Sequence, residues 1–154
     1  MRYHAPAGIQ THISRSGTLI VCEPAAVYAG PCRRVLLVDD DVAALEIGAL
    51  LLADAGVQVE VAPSAEAALR LAAGRAFDLL IVDYRLGDET GIDLVRRLRA
   101  GGVATPFILV TGHASVSLTV EAMRLGARTV LEKPLIGEAF VTPVLREIDA
   151  IEGD

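Results

Sequence analysis

The sequence predicts an α/β fold, a five-stranded doubly wound parallel sheet with helices on both faces. From Arg33 onward, apolar runs of strand length alternate five times with longer stretches of helical period. Val35-Leu-Leu-Val38 and Leu79-Leu-Ile-Val82 are unbroken apolar runs, as expected of strands covered on both faces. Right-handed crossovers between such strands leave few topologies, and the doubly wound sheet leads them.

Each element has a local reason. After the first strand, Val42 to Ala55 reads as a helix with Leu45, Leu51 and Leu52 inward and Gly56 as its stop. Val57, Val59 and Val61 alternate with polar residues, which predicts a half-exposed edge strand. Ser64 caps a second helix holding Ala67, Ala68, Leu69 and Leu71. Phe77 to Val82 is the third strand and Ile92 to Ala100 the third helix. Pro106 to Val110, a helix from Ser115 to Leu125, a short strand Thr129 to Leu131 and a last helix from Gly137 to Ile151 complete the alternation. Residues 33–154 therefore read as one domain. Residues 1–32 precede it as an extension rich in Gly, Pro, Ser and His, without a period and expected to be flexible. Within it Leu19 to Cys22 could form a short strand.

The totals exclude several classes. A chain of 154 residues, 53% hydrophobic and without Trp, has an aliphatic core of Val, Leu, Ile and Ala. The net charge of −6 argues against direct nucleic-acid binding. No apolar run is long enough for a bilayer, and Leu19-Ile-Val-Cys22 is too short for a signal peptide, so a cytoplasmic protein is expected. Its 2 cysteines, Cys22 and Cys32, precede the regular part and read as free thiols.

In sheets of this kind, ligands sit beyond the carboxyl ends of the strands. Asp39-Asp40-Asp41 follows the first strand, Asp83 the third, Thr111-Gly112 the fourth and Lys133-Pro134 the fifth. Asp41 and Thr111 can each be read as a helix cap. Lys133 is the single lysine of a chain whose other basic side chains are arginine, and a compact ammonium suits a tight site holding one phosphoryl oxygen. Converging carboxylates repel, and a divalent cation relieves the repulsion. Oxygen donors without His or Cys point to Mg²⁺, and a carboxylate beside it can act as a nucleophile toward a phosphoryl group. The chain has no phosphate-binding Gly-x-x-x-x-Gly-Lys loop, no dinucleotide Gly-x-Gly-x-x-Gly after the first strand and no Gly-x-Ser-x-Gly elbow.

On these residues the chain resembles the receiver domain of two-component response regulators, from about Arg33 to its C-terminus. The resemblance implies a flavodoxin-like, CheY-like sheet of strand order 2-1-3-4-5. It implies that Asp83 is the phosphoacceptor, with Gly91 at the family's usual distance beyond it. Asp39 and Asp40 match the acidic pair, Asp40 being the favoured direct Mg²⁺ ligand, and Asp83 and the backbone carbonyl of Arg85 would complete the metal site. Thr111 matches the conserved hydroxyl, and Lys133-Pro134 the lysine–proline pair whose peptide bond is cis in the family. The stretch Thr-Gly-His-Ala-Ser-Val, with Glu-Lys-Pro after it, looks most like the FixJ and NtrC branches.

Three positions depart from the pattern. Gly87 stands where many receivers have proline, which predicts a more mobile loop. Val130 replaces the usual Tyr or Phe three residues before Lys133, leaving little to swing on phosphorylation. Arg85 and His113 lie at variable positions that flank the phosphorylation site in the family, and read equally well as solvated side chains. The resemblance implies a histidine kinase or histidine phosphotransfer protein as partner, and a homodimer, where one forms, through the fourth helix, fifth strand and fifth helix. Two other readings compete. A degenerate receiver would act as a phosphorylation-independent binding module, favoured by Val130. A phosphatase of the haloacid dehalogenase type is disfavoured by Arg85, where a second aspartate is needed.

Overall fold

The computed structural model describes residues 10–13, 19–22 and 33–152. The elements in chain order are β1 (Gln10–Ile13), β2 (Leu19–Cys22), β3 (Arg34–Val38), α1 (Val42–Asp54), β4 (Gln58–Ala62), α2 (Ala65–Gly74), β5 (Leu79–Asp83), β6 (Arg85–Leu86), β7 (Glu89–Thr90), α3 (Gly91–Ala100), β8 (Phe107–Thr111), α4 (Val116–Arg124), β9 (Ala127–Glu132) and α5 (Glu138–Glu152). Five strands form the predicted parallel sheet in the order β4-β3-β5-β8-β9, which is 2-1-3-4-5 when only these five are counted. Each strand splits its side chains between two cores. Leu36 and Val38 of β3 face Ala65, Ala68, Leu94, Leu98 and Ala122 on one side. Val35 and Leu37 face Leu45, Ala49, Leu52, Phe140, Val144 and Ile148 on the other. Period-two alternation within apolar runs thus builds both faces at once.

The expected edge strand is different. β4 does not lie at the edge: β2 pairs with it antiparallel at Ile20↔Glu60 and Val21↔Val59, and β1 pairs antiparallel with β2. Glu60, which alternation placed toward water, is fully buried. Its Oε1 accepts from Arg75 Nη1, and its Oε2 has no hydrogen-bond partner among the described residues. Leu19–Cys22, legible as a possible strand, is thus β2. Gln10–Ile13, in the extension expected to be flexible, is β1, and the remainder of residues 1–32, Cys32 among them, lies outside the described residues.

Asp41 and Ser64 cap helices as the sequence suggests, whereas Thr111 does not. Asp41 caps α1 by accepting from the N–H groups of Ala43 and Ala44, and Ser64 caps α2 through Ala67 N. Thr90 and Asp93 form a reciprocal capping box on α3. In α5, Pro143 lies inside the helix, where it removes an intrahelical donor. Burial of Phe140, Val144 and Ile148 holds this helix against the sheet despite that loss.

Arg99 of α3 works as a staple. Its Nε donates to Leu125 O at 2.9 Å, Nη1 to Val103 O at 2.9 Å and Nη2 to Thr105 O at 2.8 Å, with its guanidinium 5.7 Å from the Phe107 ring centre. One planar fork therefore ties the loop before β8 to the turn before β9. Arg99→Ala is expected to lower stability by about 2–4 kcal/mol, since three carbonyls lose a charged donor, and Arg99→Lys to recover only a minor part. Urea unfolding checks this, and an Arg99→Lys midpoint equal to wild type would refute the staple.

Candidate functional site

The parallel register decides where the polar strand ends fall. Val38 of β3 is opposite Val82 of β5, so Asp39 and Asp83 leave the sheet side by side. Asp83 in turn is opposite Val110, which places Thr111 one residue beyond it on β8. β9 is in register with β8 at Thr111↔Glu132, and the Lys133 N–H donates to Thr111 O at 2.8 Å. Four parallel neighbouring strands, three of them apolar and five residues long, thereby deliver Asp39, Asp83, Thr111 and Lys133 to one end of the sheet.

Asp39, Asp40 and Asp83 each offer a carboxylate oxygen within 4.8 Å of the others. Lys133 Nζ donates to Asp83 Oδ2 at 2.6 Å and lies 3.9 Å from Asp39 Oδ2. Asp83 Oδ1 accepts from the Arg85 N–H at 3.2 Å, and Asp39 Oδ1 from the Asp41 N–H at 2.9 Å. Asp40, exposed, accepts from Gly87 N–H at 3.2 Å and so ties the turn between β6 and β7 to the acidic cluster. The Lys133–Pro134 peptide bond is cis.

One ammonium faces three carboxylates, and both Asp39 and Lys133 are displaced from their ordinary values. Burial is the main reason Asp39 is pushed up to about 6; the Asp41 N–H and Lys133 oppose the shift and the charge of Asp83 adds to it. Burial acts to lower Lys133, but its hydrogen bond to Asp83 and the charges of Asp83, Asp39 and Asp40 outweigh this and raise it. An all-oxygen donor set with excess negative charge fits a hard divalent cation such as Mg²⁺.

The other predicted residues fall into place around the cluster. Thr111 is buried but does not cap α4, a role taken by Ser115 through Leu118 N. Its Oγ1 instead accepts from His113 N at 3.2 Å and lies 3.3 Å from His113 O as a donor. Arg85 and His113 are both exposed. Val130 is half-buried against the core beneath α2, α3 and α4. Gly87 takes a positive φ of 67° in the two-residue turn joining β6 to β7, a conformation suited to glycine. Gly91 is needed for space: a Cβ there would lie 2.4 Å from Asp83 O and 2.7 Å from Val82 Cγ1. Sequence reasoning passed over Glu132, whose Oε2 accepts from Ala114 N–H at 3.0 Å. Its only signal was its place beside Lys133.

Residues 35–144 match the family model described as response regulator receiver domain. The chain belongs to that family. The receiver is 39% identical over 101 residues to the alginate biosynthesis transcriptional regulatory protein AlgB of Pseudomonas aeruginosa, a match covering 66% of this chain and 22% of AlgB. It is 38% identical over 100 residues to the transcriptional regulatory protein FixJ of Bradyrhizobium diazoefficiens, covering 65% of this chain and 49% of FixJ. The receiver thus spans about half or less of these two relatives. Among solved structures, a CheY-like receiver domain protein from Methanospirillum hungatei superposes with a TM-score of 0.73 at 28% identity, covering 80% of this chain and 98% of that one. CheY4 of Vibrio cholerae gives 0.70 at 30% identity, covering 75% and 98%. As a member of this family the receiver is a signalling module of two-component systems. No described helix is long and apolar enough to cross a membrane.

Proposed function

We propose that this receiver accepts a phosphoryl group on Asp83, with Mg²⁺, from a histidine kinase or histidine phosphotransfer protein, and that the modification switches a protein-interaction surface. The observation that carries this is the contact of Lys133 Nζ with Asp83 Oδ2 at 2.6 Å inside a cluster with Asp39 and Asp40. Asp39, Asp40, Asp83 and the backbone carbonyl of Arg85 would hold Mg²⁺, which when bound neutralises excess negative charge during transfer. An Asp83 carboxylate oxygen attacks phosphorus, the bond from phosphorus to the donor breaks, and the donor leaves with that electron pair. Lys133 balances charge at the carboxylate and at the incoming phosphoryl oxygens. Thr111 donates its hydroxyl to a phosphoryl oxygen once one is there. Water later attacks phosphorus, the bond from phosphorus to the Asp83 oxygen breaks, and inorganic phosphate leaves as the carboxylate is regenerated.

The surface beside the cluster suits a protein donor. Val42 and Ile47 of α1 and Ile136 before α5 are 58%, 61% and 78% exposed. A cavity of about 540 Å³ bounded by Ala44, Ile47, Leu135 and Phe140 opens toward Asp39, Asp83 and Lys133. A homodimer would use α4, β9 and α5, where Val116, Val120 and Met123 present apolar surface on α4. The placement is cytoplasmic, as the proposed partners require. The binding-module reading draws on Val130 alone, since the Asp39, Asp40, Asp83, Thr111 and Lys133 set is complete.

Incubation with acetyl phosphate, with and without Mg²⁺, followed by intact-mass measurement tests the proposal. One phosphoryl adduct is expected, dependent on Mg²⁺ and lost in Asp83→Asn. An unmodified wild type would favour the binding module, and an adduct persisting in Asp83→Asn would move the acceptor elsewhere.

A further inference from the structure

The connection between β8 and α4 is held by side chains at successive backbone N–H groups. His113 N–H donates to Thr111 Oγ1 at 3.2 Å, and Ala114 N–H donates to Glu132 Oε2 at 3.0 Å. Thr111 also directs its hydroxyl at His113 O, 3.3 Å away. The two side chains belong to adjacent strands in direct register, Thr111↔Glu132, and the Lys133 N–H closes the same ladder on Thr111 O. Thr111 and Glu132 therefore grip the loop from two strands, immediately beside the ammonium that reaches Asp83.

These contacts cannot all survive an occupied site. A Thr111 hydroxyl that turns to a phosphoryl oxygen on Asp83 gives up its donation to His113 O and loosens its hold on the loop, which leaves the bond at Ala114 as the other tether. What resists at Ala114 is the Glu132 side chain, whose Oε2 accepts the Ala114 N–H at 3.0 Å and whose acceptor oxygen a glutamine would keep. Val130, a half-buried valine two residues before Glu132, has no ring with which to follow or oppose the loop.

We propose that Glu132 is a positioning residue that latches the β8–α4 connection in its resting arrangement and thereby sets how readily the site takes a phosphoryl group. The inference rests on the phosphoryl-acceptor reading above. Removing the latch leaves the cluster intact and lowers the barrier to rearranging the loop, so occupancy of the site becomes easier.

Two measurements on the full chain test it, each with wild type, Glu132→Ala and Glu132→Gln. In amide exchange followed by NMR without metal, Ala114 N–H is protected in wild type, exchanges about three- to tenfold faster in Glu132→Ala, and stays near wild type in Glu132→Gln. In titration with Mg²⁺ and beryllofluoride, a phosphoryl mimic, Glu132→Ala binds about three- to tenfold more tightly than wild type and Glu132→Gln within about twofold of it. Deleting the charge alone would shift both variants equally, so equal affinities for Ala and Gln overturn the latch, as does unaltered Ala114 exchange in Glu132→Ala or weaker binding by that variant. A wild type that binds no beryllofluoride overturns both the latch and the reading on which it rests, whereas binding without any difference among the three proteins sinks the latch alone.

Discussion

Gly91→Ala is expected to lower stability by about 2–4 kcal/mol and to abolish most of the phosphoryl adduct proposed for Asp83. The added methyl would sit 2.4 Å from Asp83 O and 2.7 Å from Val82 Cγ1, well inside contact distance. Neither neighbour can step aside cheaply. Val82 is fully buried in the core beneath α2, α3 and α4, and the Asp83 backbone belongs to a central strand paired on β8. Gly91 is fixed as well, since its N–H donates to Tyr84 O at 2.7 Å and it opens α3. The clash must then be relieved by moving the end of β5, which carries the Asp83 carboxylate away from Lys133. Gly87→Ala is the control in the same loop. Nothing among the described residues lies within 4 Å of a Cβ at Gly87, and the positive φ of 67° is what penalises the substitution, by about 1 kcal/mol. Its adduct is expected to survive. Urea midpoints and intact masses for both variants check the pair; equal behaviour would show that the close approach at Gly91 is tolerated.

That contrast marks the border of what the sequence could tell. The spacing between Asp83 and Gly91 was legible, and Gly87 stood out as a departure, but whether a glycine is kept for space or for φ depends on what lies across the loop. The parallel sheet was readable for a simple reason. Its strands are aliphatic runs such as Val35–Val38 and Leu79–Val82, and strands covered on both faces leave no polar position to mislead. β4 misled because alternation reports which residues face water only when the flanking strand is known. β2 comes from a segment without a period, and it pairs beside Glu60, whose buried carboxylate meets the exposed Arg75. The site was legible to the extent that it depends on strand ends, because parallel register brings Asp39, Asp83, Thr111 and Lys133 together once the order is right. What stayed hidden depends on backbone atoms distant in sequence. Arg99 reaches three carbonyls, Glu132 reaches Ala114 N, and the Thr111 hydroxyl turns to His113 rather than to a helix end. Side-chain identity carries no signal for such partners.

The metal-free protein is expected to become more stable as pH falls from 7 to 5 to the extent that Asp39 controls it, the reverse of ordinary acid destabilisation. Asp39 is only 9% exposed, and burial raises its carboxyl to about 6 against an unperturbed value of 3.8. A raised carboxyl binds its proton more tightly in the folded chain than in the unfolded one, so between these two values the folded state holds more protons. Stability then falls as pH rises through that window. The ionised group disfavours folding by about 2–3 kcal/mol at pH 7, of which roughly 1 kcal/mol is recovered by pH 5. Asp39→Asn removes the group, so without metal it is expected to be more stable than wild type at pH 7 by about 2 kcal/mol, with a gap that narrows toward pH 5. The wild-type-minus-variant difference cancels the titration of more distant carboxylates. Mg²⁺ should reverse the order, since a cation held by Asp39, Asp40 and Asp83 favours the ionised form and stabilises wild type alone. Urea unfolding at pH 5, 6 and 7, in chelator and then in Mg²⁺, measures both halves. A difference that is flat with pH would show that Asp39 titrates normally in the folded chain. A gap untouched by Mg²⁺ would mean that Asp39 does not share in holding the cation, and that the excess negative charge at this end of the sheet is balanced by Lys133 instead.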